Sequence, residues 1–273
     1  MTTSPADGYV LARTSDEYQR LAAQAQIWAP ATRSALARVG LSAGMQALDI
    51  GCGTGAVMRL MADAVGPTGR VVGLDSDPVL GAEALAQLRS AGPDIFEFFG
   101  GDFSAATPVD GRQFDLVFAR LLVIHTPIPT AALTRLWGWV KPGGVLLIMD
   151  YDLTASRTLP ADPTSQRGLA LMCDLFRALG KDVEIGTRMP ALFRQAGLGL
   201  PDGCDVCSHV TPDPGGGGMI RTILAGLREA ALAGHHIDAA TLDDIDAELA
   251  RLPPDQFLLR WPDMVATWKR KPQ

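Results

Sequence analysis

The residues able to do chemistry form a short series of acids, glycines and one histidine. Asp49 is followed by Gly51, Gly53 and Gly55 in the stretch MQALDIGCGTG, residues 45–55. Glycines at alternate positions let a backbone turn sharply and leave no side chain in a ligand's way. Cys52 lies inside that turn; Asp75 and Ser76, Asp102 and Phe103, and Arg120 and Leu121 follow along the chain. His125 carries a group that takes up a proton near neutral pH, which makes it a candidate general base. Asp150 brings a carboxylate able to accept a proton, bind a polar group or chelate a metal. The chemistry this pattern suggests is capture of a nucleotide-type ligand at a glycine loop.

Such residues need elements to hold them. Apolar Met45, Ala47, Leu48 and Ile50 suit a buried strand, and a helical pattern begins at Ala56, whose first-turn N–H groups would face the crevice. A second strand, 71–74, ends in Asp75, placed there to accept both hydroxyls of a ribose; the alternative is an acid near the start of the helix that Ser76 and Asp77-Pro78 open. A third strand, 95–99, leads to Asp102 and Phe103, for which an Asx-turn and a core aromatic are the structural alternatives. A fourth, 114–118, runs on to Arg120 and Leu121, and His125 follows as a base or as a residue that orients its loop. After a reverse turn at Lys141-Pro142-Gly143-Gly144 comes a fifth strand, 145–149. Asp150 and Asp152 would then point the same way over the crevice, unless Asp152 caps what comes next.

The flanks read as covers. Residues 1–10 read as a loose arm or as one that orders on binding. Thr14 and Glu17 form a capping box for one helix, and Pro30 restarts a second that ends at Gly40. Tyr9, Tyr18, Gln24 and Trp28 are then either contacts of a lid or packing between cap and core. Residues 153–185 lack strand character and carry a helix with Leu169, Met172, Phe176 and Leu179 on one face. A strand is expected at 203–210, a glycine-rich hinge at 212–218, two further helices, and a closing strand at 264–268.

Two ligand classes use a glycine loop of this kind. Gly51-x-Gly53-x-x-Ala56 with Asp75 satisfies the dinucleotide fingerprint, which would make the protein an NAD-dependent oxidoreductase. An acid at Asp49, closing the strand, would repel a pyrophosphate and suits a ligand with an ammonium and a sulfonium. From Asp49 onward the chain resembles class I S-adenosyl-L-methionine (SAM) dependent methyltransferases: the D-x-G-x-G-x-G loop, "GDF" at 101–103, "FDLV" at 114–117 and the turn in WGWVKPGGVLLIMD. The resemblance is strong over residues 40–150 and looser beyond.

It implies an α/β fold with a Rossmann-like, doubly wound, seven-stranded sheet, its last strand antiparallel, and helical lid elements. A single domain 1–273 would comprise a cap at 1–39, a SAM-binding core at 40–152, lid insertions at 153–185 and 216–252, and the rest of the sheet at 186–215 and 253–273. SAM would be held by Asp49, Gly51, Cys52, Gly53, Gly55, Asp75, Ser76, Asp102, Phe103, Arg120 and Leu121, and S-adenosyl-L-homocysteine (SAH) would be the product. The expected reaction is O-, C- or N-methylation of a small, largely hydrophobic, secondary-metabolite or quinone-like acceptor, with His125 or Asp150 as base. A non-transfer step such as a cyclisation is the alternative within this fold.

Composition narrows the partners. A chain of 273 residues with 47% hydrophobic and 20% charged residues can bury a full core. A net charge of −6 argues against a nucleic-acid surface, which needs clustered Lys and Arg. No apolar run reaches membrane-spanning length and no signal-peptide core is present, so a cytoplasmic protein free of membrane is expected, with a homodimer left open. Cys204-x-x-Cys207 lacks the second pair a zinc site needs, and strand residues three apart face opposite sides; no metal is expected.

Overall fold

The computed structural model describes residues 15–105, 107–212, 217–253 and 256–273, with side chains described from residue 20 onward. The arm at 1–10, the Thr14–Glu17 capping box, the contacts of Tyr9 and Tyr18 and most of the 212–218 hinge lie outside the described residues. The first described element is α1 (Ser15–Arg38). After it strands and helices alternate: β1 (Gln46–Ile50), α2 (Ala56–Val65), β2 (Arg70–Asp75), α3 (Pro78–Ala91), β3 (Phe96–Gly100), β4 (Phe114–Arg120), α4 (Pro129–Gly138) and β5 (Val140–Asp152). The remainder is less regular: β6 (Arg157–Leu159), α5 (Pro163–Ala178), α6 (Ile185–Gln195), β7 (Gly203–Cys207), β8 (Val210–Pro212), α7 (Gly218–Ala233), α8 (Ala239–Ala250), β9 (Leu258–Arg260) and β10 (Asp263–Arg270).

Seven strands form one sheet in the order β3-β2-β1-β4-β5-β10-β7. The pairings from β3 through β5 are parallel, and β10 runs antiparallel to both β5 and β7, as the sequence leads one to expect. Helices cover both faces, so a central strand such as β1 buries Ala47, Leu48, Asp49 and Ile50 alike. The strand order reverses between β1 and β4, which opens a crevice at their carboxyl ends. Asp115 pins the other end: its Oδ2 accepts the Gln46 N–H at 2.8 Å and the Lys141 ammonium at 3.0 Å.

Four local expectations need correction. Pro30 does not start a second helix; α1 runs through it for 24 residues. Trp28 before the proline and Leu36 after it are both buried. Losing one buried tryptophan costs about 3–5 kcal/mol, against about 3 kcal/mol for an interior proline, so packing overrides the local rule. The fifth strand is longer than 145–149, because Val140 already pairs with Phe114 ahead of an irregularity in register. Residues 153–185 do hold a strand, β6, which joins β9 and β8 in a separate antiparallel sheet. The strand expected at 203–210 therefore divides, β7 staying in the main sheet and β8 leaving it.

Candidate active site

A crevice of about 260 Å³ lies at the carboxyl ends of β1, β2 and β4, and residues of α1, α5 and α7 line it as well. Its floor is the glycine loop. Gly51 has φ +70°, a conformation that a side chain strains, and a Cβ there would press on Leu122 Cδ1 at 3.1 Å. Gly53 donates its N–H to Asp75 Oδ2 at 2.8 Å, while Asp75 Oδ1 accepts the Asp77 N–H at 2.9 Å. Asp77, not Asp75, caps α3, accepting from Val79 and Leu80. That leaves Asp75 at the tip of β2 as a carboxylate of the crevice wall, fixed by backbone donors on both sides.

Asp49 is the most unusual group of the floor. It is 2% exposed, and its Oδ2 has no hydrogen-bond partner among the described residues. Burial pushes its carboxyl up to about 8, with the neighbouring Arg120 pulling down and Asp75 pushing up. Arg120 in turn is drawn below the usual arginine range by burial, against the pull of Asp49. Its Nη1 donates to Thr32 Oγ1 of α1 at 2.9 Å. Leu121, next in line, has φ +55°, a left-handed conformation that costs a branched side chain about 1–3 kcal/mol; its N–H is tied to Met149 O at 2.8 Å.

Of the residues singled out in the sequence, Asp49, Gly51, Cys52, Gly53, Asp75, Ser76, Asp102, Phe103, Arg120, Leu121 and His125 all line this one crevice. Cys52 is buried there, and burial raises its thiol well above the ordinary range. Asp102 also makes the Asx-turn, its Oδ1 accepting the Ser104 N–H at 2.8 Å. His125 closes a 3₁₀ turn of residues 123–125, with its carbonyl accepting from Lys181 Nζ at 3.0 Å.

Two of them stand elsewhere. Gly55 is not on the crevice wall; a Cβ at its φ of +74° would come within 3.0 Å of Leu88 Cδ1, so this glycine serves the packing of loop against α3. Asp150 does not face the crevice either. It is fully buried, and its carboxylate accepts the N–H groups of Ile124 and Tyr151, each at 3.0 Å. Burial outweighs those bonds and raises its carboxyl to about 7. Asp150 thus anchors the His125 turn to β5. Asp152 caps the turn after β5, accepting the Thr154 N–H at 3.0 Å.

The opposite wall is apolar. Leu153, Met172 and Phe176 come from the 153–185 segment, Met219 and Ile223 from α7, and Trp261 from the approach to β10. Tyr151 completes it, its hydroxyl accepting from Gln24 Nε2 at 2.9 Å and from Trp28 Nε1 at 2.5 Å. The sequence places Tyr151 beside Asp150 at the end of the fifth strand, over the crevice, but not its bonds to Gln24 and Trp28, and Trp261 does not stand out in it, since the contacts that matter come from distant segments.

Residues 47–144 match the family model described as a methyltransferase domain, a span that holds the glycine loop, Asp75, Asp102, Arg120 and His125. This segment is a methyltransferase domain. Relatives agree. The chain is 30% identical over 151 residues to demethylmenaquinone methyltransferase of Lactococcus lactis, covering 54% of this chain and 57% of that protein. It is 35% identical over 136 residues to trans-aconitate 2-methyltransferase of an Azoarcus species, covering 49% of this chain and 51% of that protein. The chain thus spans little more than half the length of the curated relatives it matches. A structure from Bacillus halodurans assigned as a methyltransferase superposes with a TM-score of 0.60 at 15% identity, over 89% of this chain and 99% of that one, which shows the shared fold. The methyltransferase domain accounts for the crevice floor; the apolar wall is built largely from residues beyond it. No described helix is long and apolar enough to cross a membrane.

Proposed function

We propose that the protein transfers a methyl group from SAM to a small, largely hydrophobic acceptor and releases SAH. The observation that carries this reading is the buried Asp49 carboxylate, orphaned at Oδ2 on the floor of a methyltransferase-type glycine loop. A buried acid with no partner fits a cationic ligand group and opposes a pyrophosphate, which weighs against a nicotinamide dinucleotide. When bound, SAM supplies a methyl group already activated by its sulfonium, with a neutral thioether as leaving group.

The residues on the floor fit that ligand. Asp49 would face its ammonium and Arg120 its carboxylate. Asp75, held by two backbone donors, would accept from the ribose, and Asp102 and Phe103 would take the adenine. The protein's own contribution is alignment and exclusion of water, since displacement at an activated methyl depends more on orientation than on acid–base strength. For an acceptor that releases a proton, His125 is the base assigned here; Asp150 serves it indirectly by holding the turn.

The relatives named above act, by their names, on demethylmenaquinone and on trans-aconitate, two unlike acceptors, and neither is assigned to this protein. The apolar wall supports a hydrophobic molecule. Calorimetry with SAM, SAH and NAD tests the cofactor, and mass-spectrometric detection of SAH during turnover tests transfer. Tight NAD binding with no heat from SAH would overturn the reading. Turnover without SAH would point to a non-transfer reaction.

A further inference from the structure

We propose that Tyr151 reads the methyl acceptor: its O–H donates a hydrogen bond to an oxygen acceptor, a carbonyl or ether, carried by an otherwise apolar molecule. The inference deepens the methyl-transfer reading and rests on it. A phenol has two lone pairs and one proton. Both lone pairs of Tyr151 Oη are engaged, by the amide of Gln24 at 2.9 Å and the indole N–H of Trp28 at 2.5 Å. An indole N–H can only donate, and with Gln24 donating as well, the tyrosine proton must find its acceptor elsewhere. Among the described residues none takes it.

The surroundings leave one direction. The carboxylate of Asp150, the preceding residue, already accepts two backbone N–H groups. Tyr151 itself lines the crevice while only 7% exposed, so the crevice is the space in which its proton can meet a ligand. The apolar wall that Tyr151 completes, with Leu153, Met172, Phe176 and Trp261, offers no accepting side chain; the crevice's carboxylates belong to its floor and to the strand tips. The phenol is also held still: Trp28, fully buried, packs its ring 5.7 Å from that of Tyr151 at 59°. Burial pushes the hydroxyl above its ordinary range, so it keeps its proton at neutral pH. An unmet donor in such a place is costly, and a ligand oxygen that meets it recovers that cost. A hydrocarbon leaves the donor unmet. An ammonium cannot accept at all, so charged amines are disfavoured.

The test uses the full chain loaded with SAH, two probes and two proteins. 1-Tetralone carries a carbonyl on a bicyclic frame; tetralin is the same frame without it. In wild type and in Tyr151→Phe, the ratio of the two affinities is measured by titration, and the ratio between proteins isolates the hydrogen bond. A preference for 1-tetralone about five- to tenfold larger in wild type is expected, with SAH affinity unchanged. The carbonyl stretch of ¹³C-labelled 1-tetralone bound to the wild type should also move to lower wavenumber, which needs no variant to fold.

An equal ratio in both proteins, an unshifted carbonyl, or failure of both probes to bind overturns the proposal. Weaker SAH binding in Tyr151→Phe would assign the phenol to the cofactor and overturns it too. If SAH does not bind the wild type, the methyl-transfer reading itself fails, an outcome distinct from normal SAH binding with an equal ratio.

Discussion

Arg120 donates from Nη1 to the hydroxyl of Thr32 across 2.9 Å, so the carboxyl end of β4 is tied to α1 inside the molecule. Thr32 is itself fully buried and donates onward to Trp28 O at 2.9 Å. The contact joins the floor that carries Asp49 to the helix that carries Gln24 and Trp28. The floor of the crevice and α1 are therefore tied by a buried hydrogen-bonded chain.

Thr32→Val keeps the shape and removes the hydroxyl, leaving the guanidinium short of an acceptor away from water. A loss of about 1–3 kcal/mol is expected, lowering Tm by roughly 2–5 °C for a chain of this size, while Thr32→Ser should stay close to wild type. Thermal unfolding by circular dichroism decides it. An unchanged Tm in Thr32→Val would show that the contact contributes nothing net.

Asp75 carries two tasks at once, holding Gly53 and Asp77 through their N–H groups and facing the crevice. Asp75→Ala removes both backbone anchors and the carboxylate. SAH affinity should drop ten- to a hundredfold, since bonds to a charged acceptor contribute about 1.5–3 kcal/mol each. Titration calorimetry reads this directly, and wild-type affinity in the variant would exclude Asp75 from the ligand's contacts.

How much of this was legible in the chain follows from distance along it. Gly51, Gly53, Asp75 and Asp102 belong to local patterns, each at or just after the end of a strand, and the structure sets all four on one crevice. Tyr151 is different: its partners are 127 and 123 residues away, so no window of sequence joins them. The Arg120–Thr32 contact spans 88 residues and is invisible for the same reason. Pro30 misled because a local rule met a buried Trp28. Strands β6, β8 and β9 have three residues each, too few to display a period. Asp150 lies near the end of β5, where the sequence leads one to expect it over the crevice, but its side chain turns away to the N–H groups of Ile124 and Tyr151.

His125 and Asp150 are separated by the same logic. His125→Ala should lower kcat about a hundredfold with a hydroxyl or phenol acceptor while leaving SAH affinity intact, because it lies on the crevice and outside the assigned cofactor contacts. Asp150→Asn should instead lower stability, by disturbing the acceptor of the Ile124 and Tyr151 N–H groups. Steady-state rates beside SAH titrations separate the two. A His125→Ala enzyme with undiminished kcat would remove it as base.

Asp49 gives the protein a pH dependence whose sign can be worked out. Its carboxyl is raised from the ordinary 3.8 to about 8, chiefly by burial, so between those values the folded protein holds a proton that the unfolded chain has released. Stability therefore falls as pH climbs from about 4 towards 8, and Asp150, raised to about 7, adds the same sign. Binding a cation beside Asp49 favours the ionised form and expels the proton. SAM binding at pH 6.5 should then release up to one proton, tightening with pH by an amount approaching tenfold per unit below pH 8. Calorimetry in phosphate and in Tris, whose ionisation enthalpies differ widely, measures that proton. Asp49→Asn should abolish the buffer dependence, and equal heats in both buffers for the wild type would rule out Asp49 as the partner of the ligand's cationic end.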